Sequence, residues 1–239
     1  MRIAIIILIC IVVGPPVAVI VFHAGAKVVR GFRKRPMPAF MANVIDNRLR
    51  YTFQPPEKTA ARHGLEPGMV VLEVGPGSGT YTLAAARSIG QDGKLVAVDI
   101  QPEIVEMVSR RAKLEGVANV EVQLADVNRL PFADATFDAI FMIFVIGEIP
   151  EPERAMKEFR RVLSPPGTIA FTEHALDPDY PRQKTLMRWA EAANFRLKKK
   201  LGNVFFYTMI FEKKVAESLS RSVAESLSRK TLRRGGKEA

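Results

Sequence analysis

The stretch Val70-Val71-Leu72-Glu73-Val74-Gly75-Pro76-Gly77-Ser78-Gly79-Thr80 decides how the rest of the chain is read. An aliphatic run broken by a single carboxylate is what a strand covered on both faces looks like, as in a parallel sheet. Glycines at alternate positions follow it, where the backbone can turn sharply and a ligand can approach with no Cβ in the way. A helix is predicted from about Thr80 to Ile89, with its first amide groups pointing over the turn.

Working outward, strands and helices alternate. Leu95 to Val98 is predicted as a strand, Glu103 to Glu115 as a helix opened by Pro102 and closed by Gly116, and Val120 to Leu124 as a strand. Phe137 to Val145 is a long apolar strand. A helix starts at Glu151-Pro152-Glu153, with acids at its positive end, and runs to about Leu163. Pro165-Pro166-Gly167 turns the chain into a strand from Thr168 to Thr172. A helix over Tyr180 to Ala193 precedes Phe195 to Lys200 and Val204 to Phe211, two strands joined as a hairpin. The alternation predicts a parallel sheet with right-handed crossovers, closed by an antiparallel edge.

Charge divides the 239 residues into three parts. Residues 24–50 carry seven Lys/Arg against one acid and residues 198–239 carry eleven against four, whereas 51–197 carry sixteen against twenty. The net charge of +10 thus lies in the flanks. A nucleic-acid site would place basic residues on the body, interleaved with aromatics, so the pattern fits an anionic membrane surface better. Ile3 to Phe22 has no charged residue and is long enough to span a hydrocarbon core as a helix, interrupted by Gly14-Pro15-Pro16. Ala24-Gly25-Ala26 would suit a cleaved signal peptide, but Lys27, Arg30, Arg33, Lys34 and Arg35 follow at once and hold the downstream chain in the cytoplasm. An anchor is therefore expected. Ala39 to Tyr51 is predicted to be a short helix lying on the membrane or on the body rather than a substrate lid. After Lys214 the unit VAESLSRS recurs as VAESLSRK, which two copies cannot build into a solenoid. The single cysteine, Cys10, excludes an internal disulfide, and the dispersed acids and three histidines predict no metal site.

In open parallel sheets the ligand sits beyond the carboxyl ends of the strands. Glu73, Asp99, Asp126 and the segment Phe144 to Glu148 gather there. Asp99 stands about twenty residues past the glycines, where a carboxylate can bridge the two hydroxyls of a ribose. Asp126 is placed to accept from an exocyclic amine.

VLEVGPGSGT with LVAVDI, then LADVNRLPFADATFDAI, then EFRRVLSPPGTIAF, resembles the class I S-adenosylmethionine-dependent methyltransferases, in the branch that modifies small molecules, lipids and quinones. The resemblance covers about residues 57–212. It implies a Rossmann-like seven-stranded, mostly parallel sheet with an antiparallel C-terminal hairpin, here preceded by a membrane helix. The chain then divides into an anchor (1–26), a basic linker with a short helix (27–56), the methyltransferase domain (57–212) and a basic tail (213–239). The resemblance places Glu73, Gly75, Gly77 and Gly79 along the methionine part of S-adenosylmethionine, and Asp99 on its ribose with Ile100 against the adenine. Asp126 and Val127 would border the adenine, with Ile143 and Phe144 near the sulfonium. Proton acceptors for the reaction are sought at Glu148, Glu173 and His174, while His63 is given no role. The family's turn before the fifth strand is Pro-Gly-Gly, and Pro166 alters it.

These readings predict a membrane-anchored methyltransferase acting on a lipid amine, a quinone or another lipophilic small molecule. The spacing G-x-G-x-G is not the dinucleotide fingerprint G-x-G-x-x-G, which makes a nicotinamide oxidoreductase the second choice among enzymes. A non-catalytic membrane module that binds the cofactor is the alternative of another class. A nucleic-acid methyltransferase is disfavoured by the acidic body.

Overall fold

The computed structural model describes Gly25, residues 36–46 and residues 48–214. The apolar run 3–22, expected to be a membrane helix, and the repeats after Lys214 lie outside the described residues. Among the described residues no helix is long and apolar enough to cross a membrane.

Three short helices come first: α1 (Ala39–Ile45), α2 (Arg48–Phe53) and α3 (Pro56–Arg62). The alternating body follows as β1 (Val70–Val74), α4 (Thr80–Ile89), β2 (Lys94–Asp99), α5 (Pro102–Leu114), β3 (Val120–Leu124), β4 (Phe137–Ile143), α6 (Pro152–Val162) and β5 (Leu163–His174). The chain continues through α7 (Gln183–Ala192), β6 (Phe195–Gly202) and β7 (Phe206–Lys213). One seven-stranded sheet results, in the order β3-β2-β1-β4-β5-β7-β6. β1 is central, with Leu72 paired to Val96 on one side and to Ile140 on the other.

Side-chain alternation along the strands sorts the core into two layers. Leu72, Val74, Ile140 and Phe171 face α6 and α7, where Phe159 and Trp189 pack. Val71, Ala97, Phe141 and Ala170 face α3 and α4, where Ala60, Tyr81 and Ile89 pack. Helix α4 is buried over almost its whole length because α3 covers the side turned away from the sheet. Helix α5 buries only Ile104, Val108 and Ala112, a stripe at i, i+4 and i+8, and exposes the rest.

The structure differs from the expected layout in three places. The antiparallel strand is not the edge: β7 lies between β5 and β6 and runs antiparallel to both. Burial explains it, since Tyr207 to Phe211 are covered on both faces, as befits an interior strand, while β6 carries Lys198, Lys199 and Lys200 exposed at the rim. Strand β5 begins at Leu163, not after the proline turn, and Phe137 pairs with Leu163 while Ala139 already pairs with Thr168. The residues around Pro165-Pro166 are accommodated as a shift in register. Finally, the expected single helix over Ala39 to Tyr51 is two, α1 and α2, broken beside Asp46.

Candidate active site

At the carboxyl ends of the parallel strands lies a cavity of about 1290 Å³. The glycine turn forms its floor. Gly75 has φ +68°, and a Cβ there would stand 2.5 Å from Val145 Cγ2, so only glycine lets β1 turn against the loop after β4. Gly77 lines the cavity. Gly79 instead caps α4 with φ +84° and packs towards Val108, which puts it behind the turn and outside the lining.

Glu73 is 3% exposed, and its Oε2 has no hydrogen-bond partner within the protein. Burial, with a smaller contribution from the nearby Asp99, pushes its pKa up to about 8. A buried carboxyl of this kind is poised to meet a cation. Asp99 ends β2, its Oδ1 accepting the Gln101 backbone N–H at 2.9 Å, and burial raises its pKa. Ile100 beside it is 55% exposed, an apolar surface turned to the cavity. Asp126 and Val127 line the cavity after β3; Asp126 Oδ1 accepts both the backbone N–H (2.8 Å) and the side-chain amide (3.1 Å) of Asn128, closing a local turn. Ile143 and Phe144 line it after β4. Phe144 has φ +61°, a left-handed conformation unusual for an aromatic residue and typical of strain kept at functional sites. Its N–H bonds Thr172 O at 2.9 Å, and its ring meets the His174 ring edge-on at 4.2 Å.

The segment from Pro36 to Gln54 crosses the cavity as a strap, and Pro36, Met37, Pro38, Ala39, Ala42, Arg50 and Gln54 line it. The segment lies on the body, one of the two positions expected for it, and its backbone is fastened to both rims of the cavity. Met37 N–H donates to Glu148 Oε2 at 2.9 Å, and Gln101 Nε2 donates to Met37 O at 3.0 Å. Asp46 pins the other end. It accepts from the Tyr51 hydroxyl, from Thr80 Oγ1 at 2.7 Å and from Arg111 at 3.0 Å. Arg111 also donates to Ser78 O at 3.0 Å, so strap, glycine turn and α5 share one network. Burial alone would raise the Asp46 pKa, but these donors outweigh it and hold the carboxylate below its ordinary range.

Sequence reading missed several of these residues. Arg50, Gln54, Arg62, Tyr81, Gln101, Phe205 and Phe206 all line the cavity. Their signal is topological: they lie on the strap, at helix starts, at the end of α3 and in the hairpin turn or the first residue of β7, far apart in sequence and met only through the sheet order. His63 is buried and stacked on Phe141 at 4.9 Å, with Nε2 at 2.9 Å from Thr172 Oγ1, and burial, reinforced by Arg62, pushes its pKa down to about 3. It is a neutral core histidine. Glu173 is buried beneath the site rather than lining it. Burial raises its pKa well above the ordinary value, and the carboxylates of Asp177, Glu148 and Asp179 add to the effect.

The family model described as a methyltransferase domain matches residues 65–223. The chain is 31% identical over 142 residues to the ubiquinone/menaquinone biosynthesis C-methyltransferase UbiE of Escherichia fergusonii, covering 59% of this chain and 55% of that protein. It is 30% identical over 117 residues to an arsenite methyltransferase of Halobacterium salinarum, covering 49% of this chain and 30% of that protein. The chain thus spans about half and about a third of the lengths of these relatives. Among solved structures, a SAM-dependent methyltransferase from Aquifex aeolicus superimposes with a TM-score of 0.69 at 26% identity, over 74% of this chain and 98% of that one. The [4+2]-cyclase SpnF shares the fold, with a TM-score of 0.60 at 19% identity over 67% of this chain and 80% of that one.

Fold and site together define a class I S-adenosylmethionine-dependent methyltransferase. The chain belongs to the methyltransferase-domain family, and its cofactor is S-adenosylmethionine. The residues present fit that molecule. Its cationic ammonium and sulfonium suit a cavity that contains the buried, unbonded oxygen of Glu73, and its lack of a pyrophosphate suits a turn spaced G-x-G-x-G.

Proposed function

We propose that the protein methylates a small hydrophobic or membrane-resident acceptor, such as a quinone ring, a lipid amine or another lipophilic molecule, from the cytoplasmic face of a membrane to which residues 3–22 tether it. The observation that carries the acceptor part is the size and lining of the cavity. One ligand site commonly occupies about 300–1,000 Å³. The cavity here, about 1290 Å³, continues past the carboxylates to Phe144, His174, Leu176, Phe205 and Phe206. A second, largely apolar compartment of this kind fits a lipophilic acceptor. The resemblance to a quinone C-methyltransferase supports the same reading, and the uncharged run followed by five basic residues supports the tether.

S-adenosylmethionine, when bound, supplies a methyl group already activated by a positive sulfur. Asp99 and Glu73 would hold it, with Ile100, Asp126 and Val127 at its adenine. Ile143 and Phe144, set by the left-handed turn at Phe144, would form the wall between the compartments. The protein's contribution is mainly to align acceptor and donor and to exclude water. The strap closes over the cavity and serves that exclusion. A base is needed only where the acceptor keeps its proton at working pH, and His174, on the wall against Phe144, is the group we assign to it. One oxygen of Glu148 holds the strap through Met37, so Glu148 acts first as a clamp.

Calorimetric titration of the cofactor, and separately of a nicotinamide dinucleotide, tests the enzyme reading: micromolar binding of the former alone is expected. Methyl transfer to quinone and lipid-amine acceptors in membrane fractions is then compared between the full chain and one lacking residues 1–35. Activity confined to soluble polar acceptors and unchanged by the deletion would overturn the membrane part.

A further inference from the structure

Resting on that membrane reading, we infer that the mouth of the cavity docks on an anionic lipid bilayer through the tip of the β6–β7 hairpin and the loop after β5, so that a lipophilic acceptor passes from the bilayer straight into the site. Leu176, Val204 and Phe205 are 79%, 63% and 71% exposed. Single apolar side chains are ordinary on a protein surface, but these three are held together. The Ala175 N–H donates to Phe205 O at 2.6 Å and the Tyr180 hydroxyl donates to Val204 O, which joins the two loops. Leu176 and Phe205 also line the cavity, so the apolar patch is its lip.

The tip is built to enter an apolar medium. Asn203 Oδ1 accepts the N–H groups of Phe205 and Phe206 at 2.9 and 3.1 Å, the Asn203 N–H donates to Phe206 O at 2.8 Å, and Gln183 Nε2 donates to Asn203 O at 2.8 Å. The carbonyls of Asn203, Val204 and Phe205 thus all have donors, and lipid would strand none of them. Charge gives a second argument. From Gly202 to Phe205 and from His174 to Tyr180 the exposed residues are uncharged, while Asp177 and Asp179 are half-buried near Glu173. The exposed charges that flank these loops are basic: Lys200 before the tip, and Arg182 and Lys184 at the start of α7, where Lys200 Nζ donates to Gln183 Oε1 at 3.2 Å. An apolar tip within a cationic collar suits a surface of anionic headgroups. Chain length gives a third. Pro36 lines the same cavity, and residues 23–35 alone separate it from the uncharged run 3–22, a reach of no more than about 45 Å.

The test uses the full chain reconstituted into vesicles of phosphatidylcholine, alone or with about 30% phosphatidylserine, with bromine on the acyl chains as a contact quencher. Trp189, the one tryptophan, is buried in the core and gives a background that lipid does not reach. In Phe205→Trp the added emission should fall at least about twofold on brominated lipid, as for an indole held in the interface, and fall further when phosphatidylserine is present. Leu114→Trp is the control: Leu114 is 80% exposed at the end of α5 away from the cavity, and its variant should show no quenching. Exchanging Arg182, Lys184 and Lys200 together for Gln should erase the dependence on phosphatidylserine. Quenching absent at position 205, or equal at 205 and 114, overturns the inference, and equal quenching on both lipids overturns its anionic part. A blue-shifted but unquenched Phe205→Trp emission would overturn it in favour of a protein partner such as a second copy. A chain that does not float with the vesicles overturns tether and docking together, and failure of S-adenosylmethionine to bind the same samples sinks the methyltransferase reading. A chain that floats and binds the cofactor with position 205 unquenched sinks only this inference.

Discussion

Glu73 and Asp99 sit near the carboxyl ends of two hydrogen-bonded strands and are placed by the ladder itself, Glu73 opposite Ala97 and Asp99 one step past the Val74–Val98 pair. Arg50, Arg62, His174 and Phe206 reach the same cavity from a strap, a helix end, the end of β5 and the start of β7. The first group depends on the sheet. In the second, His174 and Phe206 are still register partners in β5 and β7, but Arg50 rides on a strap held by side-chain bonds, such as those of Glu148 to Met37 and of Asp46 to Thr80 and Arg111. The match to the methyltransferase domain begins at residue 65, after Arg50 and Arg62. A scaffold that fixes the cofactor end and leaves the other end to a preceding segment can change its acceptor without disturbing the donor.

The largest effect should come from the floor. Gly75→Val forces a branched side chain into a left-handed conformation and against Val145, where even a Cβ would stand 2.5 Å from Cγ2. Strain and overpacking together should cost about 4 kcal/mol and reduce cofactor affinity about 100-fold or more. Thermal melts and calorimetry check it. A variant that melts normally and still binds the cofactor would mean that the turn is not the rigid half of the comparison.

Glu73 gives the next effect, and it depends on pH. Its folded pKa is about 8 against an ordinary value of 4.5. Below the ordinary value the carboxyl is protonated in both folded and unfolded chains, and its burial has no proton-linked cost. Between the two values the unfolded chain releases the proton and the folded chain keeps it, so the stability of the cofactor-free protein falls as pH rises, by at most about 1.4 kcal/mol per pH unit. Glu73→Gln removes that slope. At neutral pH the variant should be up to about 3 kcal/mol more stable without cofactor, yet bind the cation about tenfold or more weakly. Denaturant titrations at pH 5, 6.5 and 8 read the slope; Arg62→Met should leave it unchanged, which keeps the two ends separable.

The same contrast explains what could be read from sequence. β1, the glycine turn and Asp99 are contiguous or regularly spaced, and periodicity with strand-end logic reaches them directly. Of the acids so placed, Glu73 keeps a buried oxygen without a partner in the protein, while Asp99 and Asp126 each also close a local turn, with Gln101 and Asn128. The position of β7 was open to reading in principle, since a lysine-rich β6 belongs at an edge and the uncharged, mostly apolar Tyr207 to Phe211 in the interior. The far end was not. Arg50, Phe144 and Phe206 share a wall only because of the strand order and of a φ of +61° at Phe144, and neither leaves a local trace in the sequence.

Asp46→Ala probes the joint between the two regions. It removes the carboxylate that Thr80 and Arg111 share, leaving Arg111 only Glu115, and unfastens the strap from the glycine turn. A loss of about 2 kcal/mol is expected, in the range for a bonded charge that is removed. Because the strap covers the cavity, cofactor dissociation should accelerate more than association slows, which stopped-flow fluorescence can resolve. An unchanged dissociation rate would show that the strap does not retain the cofactor.

The smallest effect belongs to the rim. Arg154 and Glu151 form an ion pair at 3.4 Å with both side chains more than half exposed, and Glu151 lines the cavity mouth. Water screens such a pair and two long side chains lose freedom to make it, so Arg154→Ala should alter stability by no more than about 0.5 kcal/mol. Asp46, with its side chain 11% exposed, accepts from three groups at once, so the contrast with the rim pair is one of burial and shared donors rather than of charge. Equal losses from Arg154→Ala and Asp46→Ala in the same thermal melts would mean that exposed pairs fasten the molecule as firmly as the buried joint does, and the two regions would then not differ in how they are held.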